Sequence, residues 1–193
     1  MQRVVVVVSF LLLLISSCQP PENESTPPNI VLFFVDDMGW QDTSVPFWNQ
    51  LTNFNKTYKT PNMERLAKKA VKFTNAYATP VCSPTRVSLL TGMNAARHRV
   101  TNWTLKPDQK QPMELNHPSL EFPDWNYNGI GLDPSTANTA FAKPLPQLLS
   151  DNGYYTIHAG KAHFGAIGYP SSNPLNLGFK VNIAGHAAGA PES

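Results

Sequence analysis

The chain has 193 residues, of which 41% are hydrophobic and 15% charged, and its formal net charge is +2. That length suits one domain with a real core, or the first part of a larger one. No run of Lys or Arg builds a basic stripe, which sets aside nucleic acid as a partner. Eighteen prolines and eleven glycines are spread among apolar segments and imply many ordered loops rather than low complexity. There is no internal repeat. In chain order, Arg3 precedes an apolar run over 4–15, broken only by Ser9. The run is shorter than the roughly 20 residues of a membrane-spanning helix, and it matches the hydrophobic region of an export signal over 1–17.

Ile15-Ser16-Ser17-Cys18 closes that segment and resembles the lipobox of bacterial lipoproteins. The resemblance implies that Cys18 receives diacylglycerol and anchors an exported protein to a membrane, in the periplasm or at the cell surface. An ordinary signal peptide cleaved nearby is the alternative. Residues 18–28 are polar and carry four prolines, so they are expected to form a flexible tether. Of the two cysteines, a lipidated Cys18 cannot pair with Cys82, which is then either a passive buried thiol or a chemically used one.

Residues 30–35 form a continuous apolar, β-branched and aromatic run, predicted to be a strand buried on both faces in a parallel sheet. It ends in Asp36 and Asp37, at the carboxyl edge where open α/β sheets place their ligands. Two adjacent carboxylates repel unless a proton or a hard cation such as calcium or magnesium relieves them. An acidic turn or helix cap is the alternative. Thr60-Pro61-Asn62 is predicted to start a helix with Met63, Leu66, Ala67 and Ala70 on its apolar face. An alternating strand is expected over 71–78.

Pro84 suits the first turn of a further helix and Gly92 its C-terminal stop. Cys82 then lies just before a helix N-terminus, where free N–H groups favour an anion such as sulfate or phosphate, and Arg86 adds bidentate contacts. Residues 100–143 are predicted to be loop-rich surface elaboration rather than core. A short helix over 145–152 ends at Gly153, and 154–159 reads as a strand. It runs into Gly160-Lys161-Ala162-His163, a second cluster at a strand end, which supplies a point charge and a proton carrier.

Cys82-Ser83-Pro84-Thr85-Arg86 followed by Leu90-Thr91-Gly92 resembles the type I sulfatase signature. The stretch from Gly153 through Gly160-Lys161-Ala162-His163 resembles its second signature, and residues 30–39 its opening strand and Asp-Asp metal motif. Thr85 departs from the usual Ser or Ala. The resemblance covers the chain from about Asn29 onward. It implies an alkaline-phosphatase-like α/β fold, with a mostly parallel central sheet flanked by helices. Residues 29–193 would be the N-terminal part of the catalytic domain. The chain is therefore expected to be a truncated fragment, inactive and poorly soluble alone.

The resemblance also implies the chemistry. Cys82 is oxidised to formylglycine by a formylglycine-generating enzyme. The aldehyde hydrates to a diol, one hydroxyl attacks sulfur, and the other loses its proton to expel sulfate. Asp36 and Asp37, together with the residue made from Cys82, hold a divalent metal, usually calcium. Arg86 holds the diol, Lys161 binds a sulfate oxygen and His163 assists proton loss. His158 is left structural. The expected function is removal of sulfate from sulfate esters of carbohydrates, with Trp40, Trp48, Trp103 and Trp125 as aromatic surfaces in loops. The rivals are a phosphonate or phosphodiester hydrolase of the same superfamily and a non-catalytic glycan-binding lipoprotein.

Overall fold

The computed structural model describes residues 26–109, 118–120 and 124–188. The expected signal peptide, Cys18 and most of the tether lie outside the described residues. No helix among the described residues is long and apolar enough to cross a membrane. The chain divides between Val35 and Asp36 into two units. The described part of the first, 26–35, contains no strand, and Val31 and Phe33 are 89% and 88% exposed. This corrects the expectation of a doubly buried strand. Apolar composition favours burial, but only pairing on an edge and a layer against each face produce it.

Among the described residues, the second unit carries the secondary structure. In chain order its helices are α1 (Asn53–Thr57), α2 (Pro61–Ala67), α3 (Cys82–Thr91), α4 (Ala95–His98) and α5 (Leu145–Asp151). Its strands are β1 (Ile130–Gly131), β2 (Ala140–Phe141), β3 (Ile157–Ala159) and β4 (Val181–Ile183), with 3₁₀ turns at Pro170–Ser172 and Pro174–Leu177 before β4. Among the described residues there are two sheets, β1-β2 and β3-β4, both parallel as expected, rather than one central sheet.

Pro61 opens α2, and Gly92 ends α3 in the left-handed region at φ 68°, donating its N–H to the Ser88 carbonyl. The expected apolar face of α2 is corrected: the helix stops at Ala67, short of Ala70, and buries none of its residues, Leu66 being 66% exposed, because apolar spacing does not supply the surface that would cover it. Residues 71–78 do not form the predicted strand. Val71, Phe73 and Tyr77 are exposed, and no described segment pairs with them. Alternation marks a sheet face, but it does not supply the neighbouring strand.

The core joins Val87 and Leu90 of α3 to Val100, Ile130, Ala140, Ala162, Phe164 and Leu177, with Phe179 packed against it. Val87, Val100, Ile130 and Leu177 are fully buried, each contributing about 1.5–3 kcal/mol. Three of these core residues lie within 100–143, which corrects the expectation that this stretch is surface elaboration. Its isolated Val100, Ile130 and Ala140 gave no periodic signal because the chain enters the core one residue at a time.

Candidate active site

The site is built on α3 and on the loop after β3. Cys82 is the first residue of α3, and Arg86 follows four residues later on the same helix face. Thr85 stitches the helix start to the incoming chain: its Oγ1 accepts the Thr79 N–H at 3.0 Å and lies 3.2 Å from the Val81 carbonyl. The hydroxyl at this position therefore caps a turn, a role that Thr fills in place of Ser. Fully buried Ser83 accepts the Thr104 N–H at 3.2 Å, which ties the 100–109 segment to the same helix end.

The loop after β3 is held from the other side. Gly160 donates its N–H to the Ile183 carbonyl at 2.8 Å, and His163 donates its own to the His186 carbonyl at 3.0 Å. Ala162 and Phe164 lock into the core between and beyond these bonds. His163 takes the left-handed conformation at φ 53°, a strained geometry for a residue with a side chain.

These two elements, with Asp36 at the start of the second unit, bring four of the predicted residues to one place. Lys161 Nζ donates to Asp36 Oδ2 and lies 3.1 Å from Cys82 Sγ. Arg86 Nη2 is 3.3 Å from Asp36 Oδ1, and Arg86 Nη1 donates to the Lys161 main-chain carbonyl at 2.6 Å. Asp37 sits beside them, exposed and in the left-handed region at φ 53°. One ligand atom from each of Asp36, Asp37 and Cys82 lies within 4.8 Å of the others. The two carboxylates suit a hard cation such as calcium or magnesium, whereas a thiol is a soft ligand. The fit to a hard cation therefore improves if an oxygen replaces Cys82 Sγ.

The charges are mutually supporting. Burial opposes ionisation of Asp36, but hydrogen bonding from Lys161 and the Arg86 charge outweigh it and hold the carboxyl below its ordinary range. Burial likewise opposes the Lys161 charge, and contacts with Asp36 and Cys82 overcome it and raise the ammonium above its usual value.

His163 is the opposite case. It is 4% exposed, and neither ring nitrogen has a hydrogen-bond partner among the described residues. Burial, then the Lys161 and Arg86 charges, push its pKa from 6.5 down to about 4. The imidazole is thus neutral at pH 7 and able to accept a proton from a group brought against it. The folded pKa lies below the unfolded one, so this contribution to stability is complete above pH 6.5. It is lost as pH falls from 6.5 towards 4, because only the unfolded chain takes up the proton there. Urea unfolding at pH 7.5 and at pH 4.5 should differ by about 2–3 kcal/mol from this residue. His163→Gln should remove that part of the difference.

The four tryptophans separate. Trp40, Trp48 and Trp103 are exposed, whereas Trp125 is buried and packs edge-on to Tyr127 at 5.8 Å, which removes it from the expected binding surface. The sequence reading missed β4 and the main-chain supports from Ile183 and His186. The alternation Val181-Asn182-Ile183 after Gly178 is the signal that could have shown the strand.

The sulfatase family model matches residues 28–190. An uncharacterized sulfatase of Schizosaccharomyces pombe is 33% identical over 81% of this chain and 24% of its own length. The N-acetylgalactosamine-6-sulfatase of Mus musculus is 33% identical over 78% of this chain and 24% of its own. A sulfatase of Formosa agariphila is 29% identical over 80% and 26%. The chain therefore spans about a quarter of the length of the curated relatives it matches.

Proposed function

Since the chain belongs to the sulfatase family, we propose that the Cys82 site serves the hydrolysis of sulfate esters, yielding an alcohol and inorganic sulfate. The observation that carries this is the convergence of Lys161 Nζ, Arg86 and Asp36 on Cys82 at the start of α3. Two cations and a helix N-terminus beside one position form a site for a tetrahedral anion, and Cys82 stands where the attacking atom belongs.

In this proposal Cys82 is converted by a partner enzyme to formylglycine, whose hydrate supplies an oxygen nucleophile when formed. Asp36 and Asp37 hold a divalent cation, preferably calcium, which when bound supplies electrostatic stabilisation of the developing charge. Lys161 is free to exchange its contact with Cys82 for a sulfate oxygen. Arg86, anchored at the Lys161 carbonyl, keeps the guanidinium facing the same position. Neutral His163 accepts the proton released as sulfate leaves.

The preferred substrate is a sulfated carbohydrate. The support is exposed Trp40 and Trp103 on the segments that carry Asp37 and Thr104, together with the likeness to an N-acetylgalactosamine-6-sulfatase. Export through 1–17 and anchoring at lipidated Cys18, with 18–28 as tether, belong to the same proposal and suit a polymeric substrate outside the cell.

A three-substrate assay on the full-length protein from its host tests the proposal. Turnover should be found with an aryl sulfate and a sulfated oligosaccharide, and be at least about a hundredfold lower with an aryl phosphate diester. Preference for the diester would replace the sulfatase assignment with a phosphodiesterase one.

A further inference from the structure

We propose that Thr79 and Thr85 are positioning residues of this site: their two hydroxyls form one hydrogen-bonded lock that closes the chain around residue 82 and fixes the peptide leading into it. The inference rests on the sulfatase reading only for its kinetic consequence.

Thr79 and Thr85 are six residues apart, with Cys82 midway between them, and both are partly buried. Thr79 N–H donates to Thr85 Oγ1 at 3.0 Å. The two hydroxyls are hydrogen-bonded to each other, and each oxygen lies 3.2 Å from the Val81 carbonyl oxygen. A threonine hydroxyl has one proton to give and two lone pairs to receive with. One assignment satisfies all these groups. Thr79 N–H donates to Thr85 Oγ1, Thr85 O–H to Thr79 Oγ1, and Thr79 O–H to the Val81 carbonyl. If the hydroxyl pair runs the other way, Thr85 O–H is left for the Val81 or the Thr79 carbonyl, each at 3.2 Å. In both directions the pair has a proton for the Val81 carbonyl.

That carbonyl lies in the plane of the Val81–Cys82 peptide, so holding its oxygen sets the direction in which the chain enters Cys82. On the other side, fully buried Ser83 is held by the Thr104 N–H. Residue 82 is thus fixed through both neighbours, with Sγ 3.1 Å from Lys161 Nζ. Pro80 and Pro84 remove two main-chain donors from this stretch, and the threonine hydroxyls supply donors in their place. An alanine at 85 would leave the Thr79 N–H without this acceptor. The threonine at 85 therefore works with a partner outside the Cys82–Arg86 motif, and neither hydroxyl needs to touch the substrate.

The test uses Thr85→Val, which keeps the branched shape and loses the hydroxyl, and Thr85→Ser, which keeps the hydroxyl. Turnover is measured on the full-length protein and counted per molecule matured at residue 82, as read from the peptide mass. Thr85→Val should lower kcat for an aryl sulfate about tenfold and leave KM within about twofold, while Thr85→Ser stays within about twofold of wild type. Independently of any activity, iodoacetamide should alkylate unmatured Cys82 at least about threefold faster in Thr85→Val than in wild type or Thr85→Ser, because a loosened turn uncovers a partly buried thiol. If Thr85→Val does not fold, Thr79→Val, which lies outside α3, carries both readouts. Wild-type kcat in the valine variant, an equal loss in Thr85→Ser, or an unchanged alkylation rate would overturn the proposal. If the wild-type protein turns over no aryl sulfate, the sulfatase reading fails, and the alkylation rates still decide whether the two hydroxyls place residue 82.

Discussion

Cys82→Ser is expected to reduce sulfatase turnover by about a thousandfold or more while the protein stays folded. The substitution is nearly isosteric, and the residue is only partly buried at the first turn of α3. A hydroxyl there can still receive the hydrogen bond that Lys161 Nζ now directs at Sγ. Packing therefore gives no reason for collapse. The loss is chemical. A serine oxygen that took up sulfate would form a stable ester, needing a second attack by water. A formylglycine hydrate keeps a second O–H whose proton can leave instead. Steady-state kinetics with an aryl sulfate, beside a thermal melt, measure both halves of the expectation. The mass of the Cys82 peptide from the host protein should be lower than that of the cysteine form by about 18 Da, which ties the loss to the maturation of this residue. Full activity in Cys82→Ser would remove the nucleophile from the mechanism.

Asp36→Ala should be nearly as damaging and in a second way as well. Asp36 takes Lys161 on one oxygen and Arg86 on the other, and the side chains of Arg86 and Lys161 are 6% and 19% exposed. Without the carboxylate, two largely buried cations face each other. Removing one partner from a buried pair costs about 3–5 kcal/mol, and the 30% exposure of Asp36 brings the expected loss nearer about 2 kcal/mol. Turnover should fall by at least about a hundredfold, because the same carboxylate belongs to the proposed cation site. Asp37 provides the control. It is exposed and forms no ion pair among the described residues, so Asp37→Ala should weaken calcium binding with little change in stability. Isothermal titration with calcium and urea unfolding on both variants separate the effects. Equal destabilisation by the two would show that the ion pairs of Asp36 do not carry the fold.

What the sequence revealed and what it concealed follow from the range of the interactions. The limits of α3 were legible because Pro84 and Gly92 act on their own neighbours. So was the loop after β3, since glycines flank Lys161 and His163. The convergence of Asp36, Cys82, Arg86 and Lys161 was expected from the family resemblance, not from any local pattern. Residues 30–35 and 71–78 misled because strand composition reports a preference, while the pairing that realises it is non-local. The 100–143 segment misled in the other direction. Its prolines and asparagines signal loops correctly, but Val100, Ile130 and Ala140 are too far apart in sequence to mark the core they enter.

The spacing of the site's contacts also sets a timetable. Lys161 is 79 residues beyond Cys82 and 125 beyond Asp36. At roughly 5–20 residues per second, the ribosome delivers Lys161 about 4–16 s after Cys82. Until then neither the ammonium nor the carbonyl that holds Arg86 exists, and closing so long a loop is a late event in folding. Cys82 thus begins life as an ordinary residue in an open chain and only later becomes enclosed. Under the maturation proposed for Cys82, an enzyme that grasps the peptide around it would have a window of seconds before Lys161 is made.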